Sequence, residues 1–218
     1  MKLLLTHGYF LKEDTKEQEI MRPYPPLGLL YVSAYLEKHG IEHTLYDTTF
    51  STSEAFESNL LKMKPTVVAF YTNLMTKLTV LKWIHFIQNH PELKHARIVL
   101  GGPDITYNVD AYLQNGADFL VIGEGEETML ELTTALQTDN TNYKTIAGIA
   151  FKDKNGDTCT NPSRIRIKDI NELPFPNRAK INLHDYLSTW KKFHGQSALS
   201  ISTQRGCPYT CRWCSTAV

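Results

Sequence analysis

Five short apolar runs recur through the first 140 residues, interleaved with stretches of helical spacing, and that alternation limits the chain to very few architectures. Lys2 to Thr6, His43 to Tyr46, Thr66 to Tyr71, Arg97 to Leu100 and Asp118 to Ile122 read as strands buried on both faces, most plainly in Val67-Val68-Ala69-Phe70-Tyr71. Leu27 to His39, Ser53 to Lys64, Leu78 to Asn89, Val109 to Asn115 and Glu127 to Gln137 carry the helical pattern. Local punctuation agrees with the periodicity. His39-Gly40 is a stop signal for the first of these helices, and Thr52 stands before Ser53-Glu54 as a start signal for the second. Five β-α units in a row predict an α/β fold built on a doubly wound, parallel, five-stranded sheet.

Sheets of this kind bind ligands outside the C-terminal ends of their strands, where strand order reverses. The loops at those ends are Gly8 to Pro26, Thr72-Asn73-Leu74, Gly101-Gly102-Pro103-Asp104 and Gly123-Glu124-Gly125-Glu126. Three of the four offer small residues or backbone groups that a bulky ligand can approach closely. Beyond residue 140 the pattern changes. Ile146 to Lys152, a turn at Lys154-Asn155-Gly156-Asp157 and a short return predict a β-hairpin. The proline-rich and polar run Asp169 to Arg178 reads as a linker, and Ala198 to Thr203 alternates like one more strand. The expected organisation is therefore a sheet domain over residues 1–140, a hairpin and linker over 141–180, and a third piece over 181–218.

That third piece carries Cys207, Cys211 and Cys214, spaced C-x-x-x-C-x-x-C behind Arg205-Gly206. Three thiolates can hold three irons of a 4Fe-4S cube and leave the fourth iron open to a small molecule. Zinc is the competing reading, with His194 offering a fourth ligand, but this spacing and the distant histidine fit zinc ribbons poorly. Cys159 reads as an ordinary free cysteine. The start of the chain is too short an apolar run for a signal peptide, and no stretch approaches a transmembrane helix, so a cytoplasmic, reducing setting without membrane attachment is expected. Such a setting favours metal chemistry over disulfides for clustered thiols.

With 23 basic and 23 acidic side chains overall, nothing points to nucleic acid. The two parts differ, however: residues 1–140 hold 11 basic and 18 acidic side chains, and residues 141–218 hold 12 and 5. Two solvated surfaces is the plainer reading; electrostatic docking of the parts, or a basic rim for an anionic ligand, is the sharper one.

The stretch Cys207-Pro208-Tyr209-Thr210-Cys211-Arg212-Trp213-Cys214 resembles the cluster loop of radical SAM enzymes, C-x-x-x-C-x-φ-C with an aromatic at φ. Upstream, Tyr24 to Tyr31, Gly101-Gly102-Pro103-Asp104 and Ala117 to Thr128 resemble the Rossmann-like cobalamin-binding domain of one large radical SAM subgroup. The resemblance covers nearly the whole chain, ending in the first strand and cluster loop of a partial β/α barrel. It implies that Cys207, Cys211 and Cys214 hold a 4Fe-4S cluster, with Tyr209 and Trp213 near the cluster or S-adenosylmethionine. It also implies cobalamin near Thr72, Asn73, Leu74, Gly101, Gly102, Pro103, Gly123, Glu124 and Gly125. In this family the reduced cluster cleaves S-adenosylmethionine to methionine and a 5'-deoxyadenosyl radical, which abstracts hydrogen from carbon. Many members of the subgroup then transfer a methyl group from methylcobalamin. The implied partners are a small-molecule substrate and an electron donor such as flavodoxin or ferredoxin.

One departure bears on the cofactor. Other cobalamin domains supply a lower histidine through D-x-H-x-x-G, followed by S-x-L and G-G segments; here Thr72-Asn73-Leu74 and Gly101-Gly102 stand in for the last two, and no D-x-H occurs. The resemblance thus implies cobalamin held without a protein histidine, with a domain that has lost its corrin as the alternative. His7 and His43 lie near strands but read as surface or satisfied core residues. Glu124, Glu126 and Glu127 read as acidic residues favoured by a helix N-terminus, or else Gly123-Glu124-Gly125 lines the corrin or its nucleotide tail. Because the chain stops four residues after Cys214, the polypeptide by itself is expected not to turn over, and a non-catalytic corrin- or metal-binding module is the second functional reading.

Overall fold

The computed structural model describes residues 1–138, 140–206 and 212. In chain order the strands are β1 (Leu3–His7), β2 (Thr44–Tyr46), β3 (Val67–Tyr71), β4 (Arg97–Gly101), β5 (Phe119–Val121), β6 (Ile149–Lys152) and β7 (Thr158–Thr160). The helices are α1 (Thr15–Ile20), α2 (Leu27–Lys38), α3 (Ser53–Met63), α4 (Lys77–Asn89), α5 (Val109–Gln114), α6 (Gly125–Gln137) and α7 (Leu183–His194). One sheet runs in the order β2-β1-β3-β4-β5-β6-β7. Its first five strands are parallel, as the alternation predicts. The order reverses between β1 and β3, so the ligand crevice of a doubly wound sheet falls at their C-terminal ends.

Strand periodicity divides the interior in two. Leu4, Val68, Phe70, Ile98, Leu100 and Leu120 face Phe56 and Leu60 of α3, Val80, Trp83, Ile84 and Ile87 of α4, and Tyr112 and Leu113 of α5. Their neighbours Leu3, Leu5, Val67, Ala69, Val99, Phe119 and Val121 face Leu29, Leu30 and Leu36 of α2 and Met129 and Leu132 of α6. Successive strand residues point to opposite faces, and here both faces are dry, which is why the runs are continuously apolar. The local signals act as expected. Thr52 caps α3 by accepting from the Ala55 N–H. After α2, Gly40 takes a left-handed conformation while its own N–H and that of Ile41 bond back to Glu37 and Leu36.

The Asn155-Gly156 hairpin forms, but it joins the main sheet: β6 pairs antiparallel to β5, and β7 to β6. Phe119, Tyr143 and Phe151 stack where the hairpin meets β5, covering an edge that would otherwise expose unpaired backbone groups. Ala198 to Thr203, whose alternation predicts a strand, is not in one. A strand needs a neighbour for its ladder, no described strand runs beside this segment, and Ile201 is exposed. Two helices went unanticipated. α1 lies inside the long loop after β1, started by Asp14 accepting from the Lys16 and Glu17 N–H groups. α7 buries Tyr186 and Trp190, and half-buried Leu183 and Leu187 complete an i, i+3, i+4, i+7 apolar face. Among the described residues no helix is long and apolar enough to cross a membrane.

The tightest backbone approach is at the ends of β3 and β4. Gly102 has φ +110°, and a Cβ there would lie 2.3 Å from the Thr72 carbonyl oxygen. Gly102→Ala is therefore expected to lower the unfolding free energy by about 3 kcal/mol, through both the forbidden backbone region and the collision. Urea titration of the variant against the parent chain checks this, and a loss under about 1 kcal/mol would show that the β3–β4 ends yield easily.

Candidate functional site

The C-terminal ends of the parallel strands gather most of the buried polar residues of the sheet. At the end of β3, the Thr72 N–H donates to the Gly101 carbonyl (2.7 Å), drawing the β3 and β4 ends together. Thr72 itself is buried, and its Oγ1 has no hydrogen-bond partner. A buried hydroxyl left without a partner costs roughly 1–3 kcal/mol, so this one marks a place where a partner is missing. The next residue turns the chain: Asn73 N–H donates to Thr76 Oγ1 and Thr76 N–H to Asn73 Oδ1, both at 3.0 Å. Leu74, Met75 and Leu78 then project into solvent beside this turn, an exposed apolar surface after the C-terminal end of β3.

Around the rim, Pro103 opens a short 3-10 turn that places Asp104 against Lys77 (3.1 Å) and the Tyr112 hydroxyl. Burial opposes ionisation of Asp104, but those two donors outweigh it and hold the carboxyl below its usual range. Past β5, Gly123 is exposed with φ +85°, and a Cβ there would meet nothing. Gly125 begins α6 close enough to α2 that a Cβ would sit 3.4 Å from Val32 Cγ2.

The structure thus brings Thr72, Asn73, Leu74, Gly101, Gly102 and Pro103 together at one edge, with Gly123, Glu124 and Gly125 further along the same rim. Cys207, Tyr209, Cys211, Trp213 and Cys214 lie outside the described residues. Among the described residues no cluster of metal-ligating side chains is found.

The glutamates have a role that neither sequence reading anticipated. Glu124 Oε2 accepts the Ile167 N–H (2.7 Å), while Glu126, nearly fully buried, binds Arg205 (2.5 Å). Arg205 also lies 3.8 Å from Glu124 and its guanidinium sits 4.7 Å over the Tyr31 ring. Glu127 and Glu131 are bridged by Arg164. The carboxylate of Glu124 is therefore engaged by the chain itself. Part of the uneven charge meets across the two parts: Arg164 and Arg205 of the later residues dock on Glu124, Glu126, Glu127 and Glu131 of the sheet domain.

A second polar group gathers past the C-terminal ends of β1 and β2. His7 Nδ1 accepts the Tyr9 N–H (3.2 Å), so the proton sits on Nε2, which donates to Asp47 (2.9 Å). Both ring nitrogens are occupied, and His7 is a satisfied core histidine rather than a ligand. The Tyr186 hydroxyl of α7 lies 2.7 Å from the other Asp47 oxygen and 2.8 Å from Thr49 Oγ1. Trp190 donates to the Pro23 carbonyl, and His194 Nε2 to the Met21 carbonyl. His43 bonds Ser33 and the Ile41 carbonyl. The α7 contacts had no motif behind them, but the apolar spacing Leu183, Tyr186, Leu187, Trp190 is a helical signal that could have found the helix.

Burial by itself raises the Asp47 carboxyl, but the His7 contact, the Tyr186 hydroxyl and the Thr49 N–H outweigh it and hold it at about 2. The folded-state value lies below the unfolded one, so this stabilisation is complete above about pH 4 and fades as pH falls towards 2. Asp47→Asn is expected to cost about 2 kcal/mol at pH 7, and the gap to the parent should close over that window. Unfolding curves at pH 7, 4 and 2.5 measure it; a gap independent of pH would contradict the assignment.

Comparison with known proteins places this geometry. The family model described as B12 binding domain matches residues 19–133, more than half of the chain. An uncharacterized methyltransferase of Pyrococcus horikoshii is 29% identical over 204 residues, covering 89% of this chain and 41% of that protein. The anaerobic magnesium-protoporphyrin IX monomethyl ester cyclase of Synechocystis is 30% identical, covering 87% and 38% respectively. The chain thus spans well under half the length of these curated relatives. In fold, it matches the cobalamin-dependent S-adenosylmethionine radical enzyme OxsB, solved with aqua-cobalamin and S-adenosylmethionine bound, at a TM-score of 0.76 and 21% identity over 98% of this chain and 28% of that one. The radical S-adenosylmethionine methyltransferase TsrM of Kitasatospora setae, solved with cobalamin and a [4Fe-4S] cluster, matches at a TM-score of 0.58 and 19% identity over 80% and 31%.

Proposed function

The chain belongs to the B12-binding domain family, and from that premise we propose that it forms the cobalamin-holding and cluster-bearing part of a radical S-adenosylmethionine enzyme acting on a small metabolite, a methyl transfer being the leading reaction. The observation that carries the corrin half of this reading is the Thr72 hydroxyl, buried without a partner at the switch point of the sheet. The residues fit the group. A corrin is a broad, largely apolar ring fringed with amide arms. Leu74, Met75 and Leu78 offer apolar surface, Thr72 a hydrogen-bonding group, and exposed Gly123 a side-chain-free approach to the backbone. With both nitrogens of His7 engaged, the fit is to a cofactor held without a histidine from this strand end.

The three thiols of Cys207, Cys211 and Cys214 are the donor set for a 4Fe-4S cluster with one open iron, and Tyr209 and Trp213 are the aromatic residues of that loop. Bound there, the cluster with S-adenosylmethionine supplies radical chemistry and cobalamin supplies a methyl carrier; the protein's part is to hold them, orient them and exclude water. A low-potential donor of the flavodoxin or ferredoxin class and a reducing, cytoplasmic setting belong to the same reading.

Two measurements test it. Anaerobic reconstitution with iron and sulfide should give a brown species with sulfur-to-iron charge-transfer absorption, and Cys211→Ala should abolish it; absorption unchanged by that substitution would defeat the cluster assignment. Titration with hydroxocobalamin should show micromolar or tighter binding. Thr72→Val should weaken it roughly fivefold, the worth of one hydrogen bond, without loss of folding stability, since no protein partner of the hydroxyl is lost. Absence of micromolar binding would instead favour a domain that has lost its corrin.

A further inference from the structure

We propose that Arg205 is a positioning residue that anchors the chain entering the three-cysteine loop, at Arg205-Gly206, to the C-terminal edge of the sheet; this rests on the cluster reading above. Cys207 is two residues along the chain from Arg205. The guanidinium binds Glu126 at the start of α6, approaches Glu124 just before it, and covers the ring of Tyr31 on α2. It therefore ties together the two helices of one sheet face, beside the strand ends that carry the candidate site.

The chemistry of the contact favours a rigid anchor over an incidental surface pair. The Glu126 side chain is only 4% exposed and that of Arg205 23%. A carboxylate that buried needs a countercharge, so the arginine cannot swing away without stranding it. The planar fork reaches two carboxylates while its face stacks on Tyr31, which a lysine ammonium cannot do. Glu124 is held in turn by the Ile167 N–H, so the anchor is braced from the linker. Just past Arg205 the chain turns at Gly206, with φ +74° and a missing Cβ that would sit 3.2 Å from Arg166 Nη1.

Between the half-buried Ser200 and Arg205, the chain at 201–204 is exposed. Ser200 offers its carbonyl to Arg178, Ile201 is exposed, and the side-chain bonds of Ser202 and Gln204 are local. Reaction between two bound cofactors requires their separation to be held, since a misplacement of about 1 Å can cost a hundredfold in rate. Among the described residues, Arg205 is the charged anchor nearest the cysteines in the chain.

The experiment compares parent, Arg205→Ala, Arg205→Lys and the double variant Arg205→Ala/Glu126→Gln, the last relieving the stranded carboxylate should the single variant fold poorly. Hydrogen–deuterium exchange of residues 198–206 should quicken at least tenfold in both alanine variants while β1 and β3 stay protected. In the reconstituted, cobalamin-loaded full-length enzyme, iron content should remain within twofold of the parent. The magnetic coupling between reduced cluster and cob(II)alamin should weaken, and turnover should fall about a hundredfold, with Arg205→Lys between. Unchanged exchange overturns the anchor. Faster exchange with coupling and turnover intact overturns its positioning role. A parent protein that takes up no cluster overturns the cluster reading itself, a result distinct from the other two.

Discussion

Both faces of a parallel sheet have to be kept from water, and nearly everything else in this molecule follows from meeting that requirement. Leu4 and Leu5, adjacent in sequence, enter different cores. So do Val67 and Val68, and Val99 and Leu100. The strand runs are apolar without alternation for that reason, and the helices must divide between the two sides, α3, α4 and α5 on one and α2 and α6 on the other. With the faces closed, the strand ends are where backbone groups and polar side chains can meet a ligand. Strand order switches between β1 and β3, and in doubly wound sheets the C-terminal ends at such a switch are where ligands bind.

What surrounds those ends is held by polar contacts of long sequence range. Asp47 is gripped by His7 from β1 and by Tyr186 from α7, which lies 139 residues away in the chain. On the other side, Glu124 and Glu126 accept Ile167 and Arg205, and Glu127 and Glu131 accept Arg164. The later part of the chain therefore wraps the C-terminal edge from two directions. An acidic sheet domain and a basic later segment are complementary halves of one packing arrangement, and the buried position of Glu126 gives that complementarity more weight than exposed pairs such as Lys64 and Glu92 carry.

The parallel strands and the five helices of the β-α units were legible within a few residues, because short continuous apolar runs, the 3.6-residue period of the helices and the signals at Thr52 and Gly40 are local properties of the chain. The candidate loops were legible too, since strand ends follow once strands are known. The strand expected at Ala198 to Thr203 failed for the opposite reason: alternation supplies a face but not a neighbouring ladder. Helix α7 was overlooked although Leu183, Tyr186, Leu187 and Trp190 carry helical spacing; what no local pattern shows is its docking, which depends on Asp47, Thr49 and Pro23, remote in sequence.

By itself the amino-acid sequence determined the doubly wound sheet, the strand-end loops where sheets of this kind bind ligands, and the three-cysteine spacing, all of which rest on near neighbours. Only the tertiary structure decided that the hairpin completes the sheet, that His7 is a satisfied core residue, that the Thr72 hydroxyl lacks a partner, and that Glu124 and Glu126 hold Arg205. The physical reason is that hydrogen-bond satisfaction and charge pairing depend on which distant groups arrive beside a residue, and no local pattern encodes that arrival.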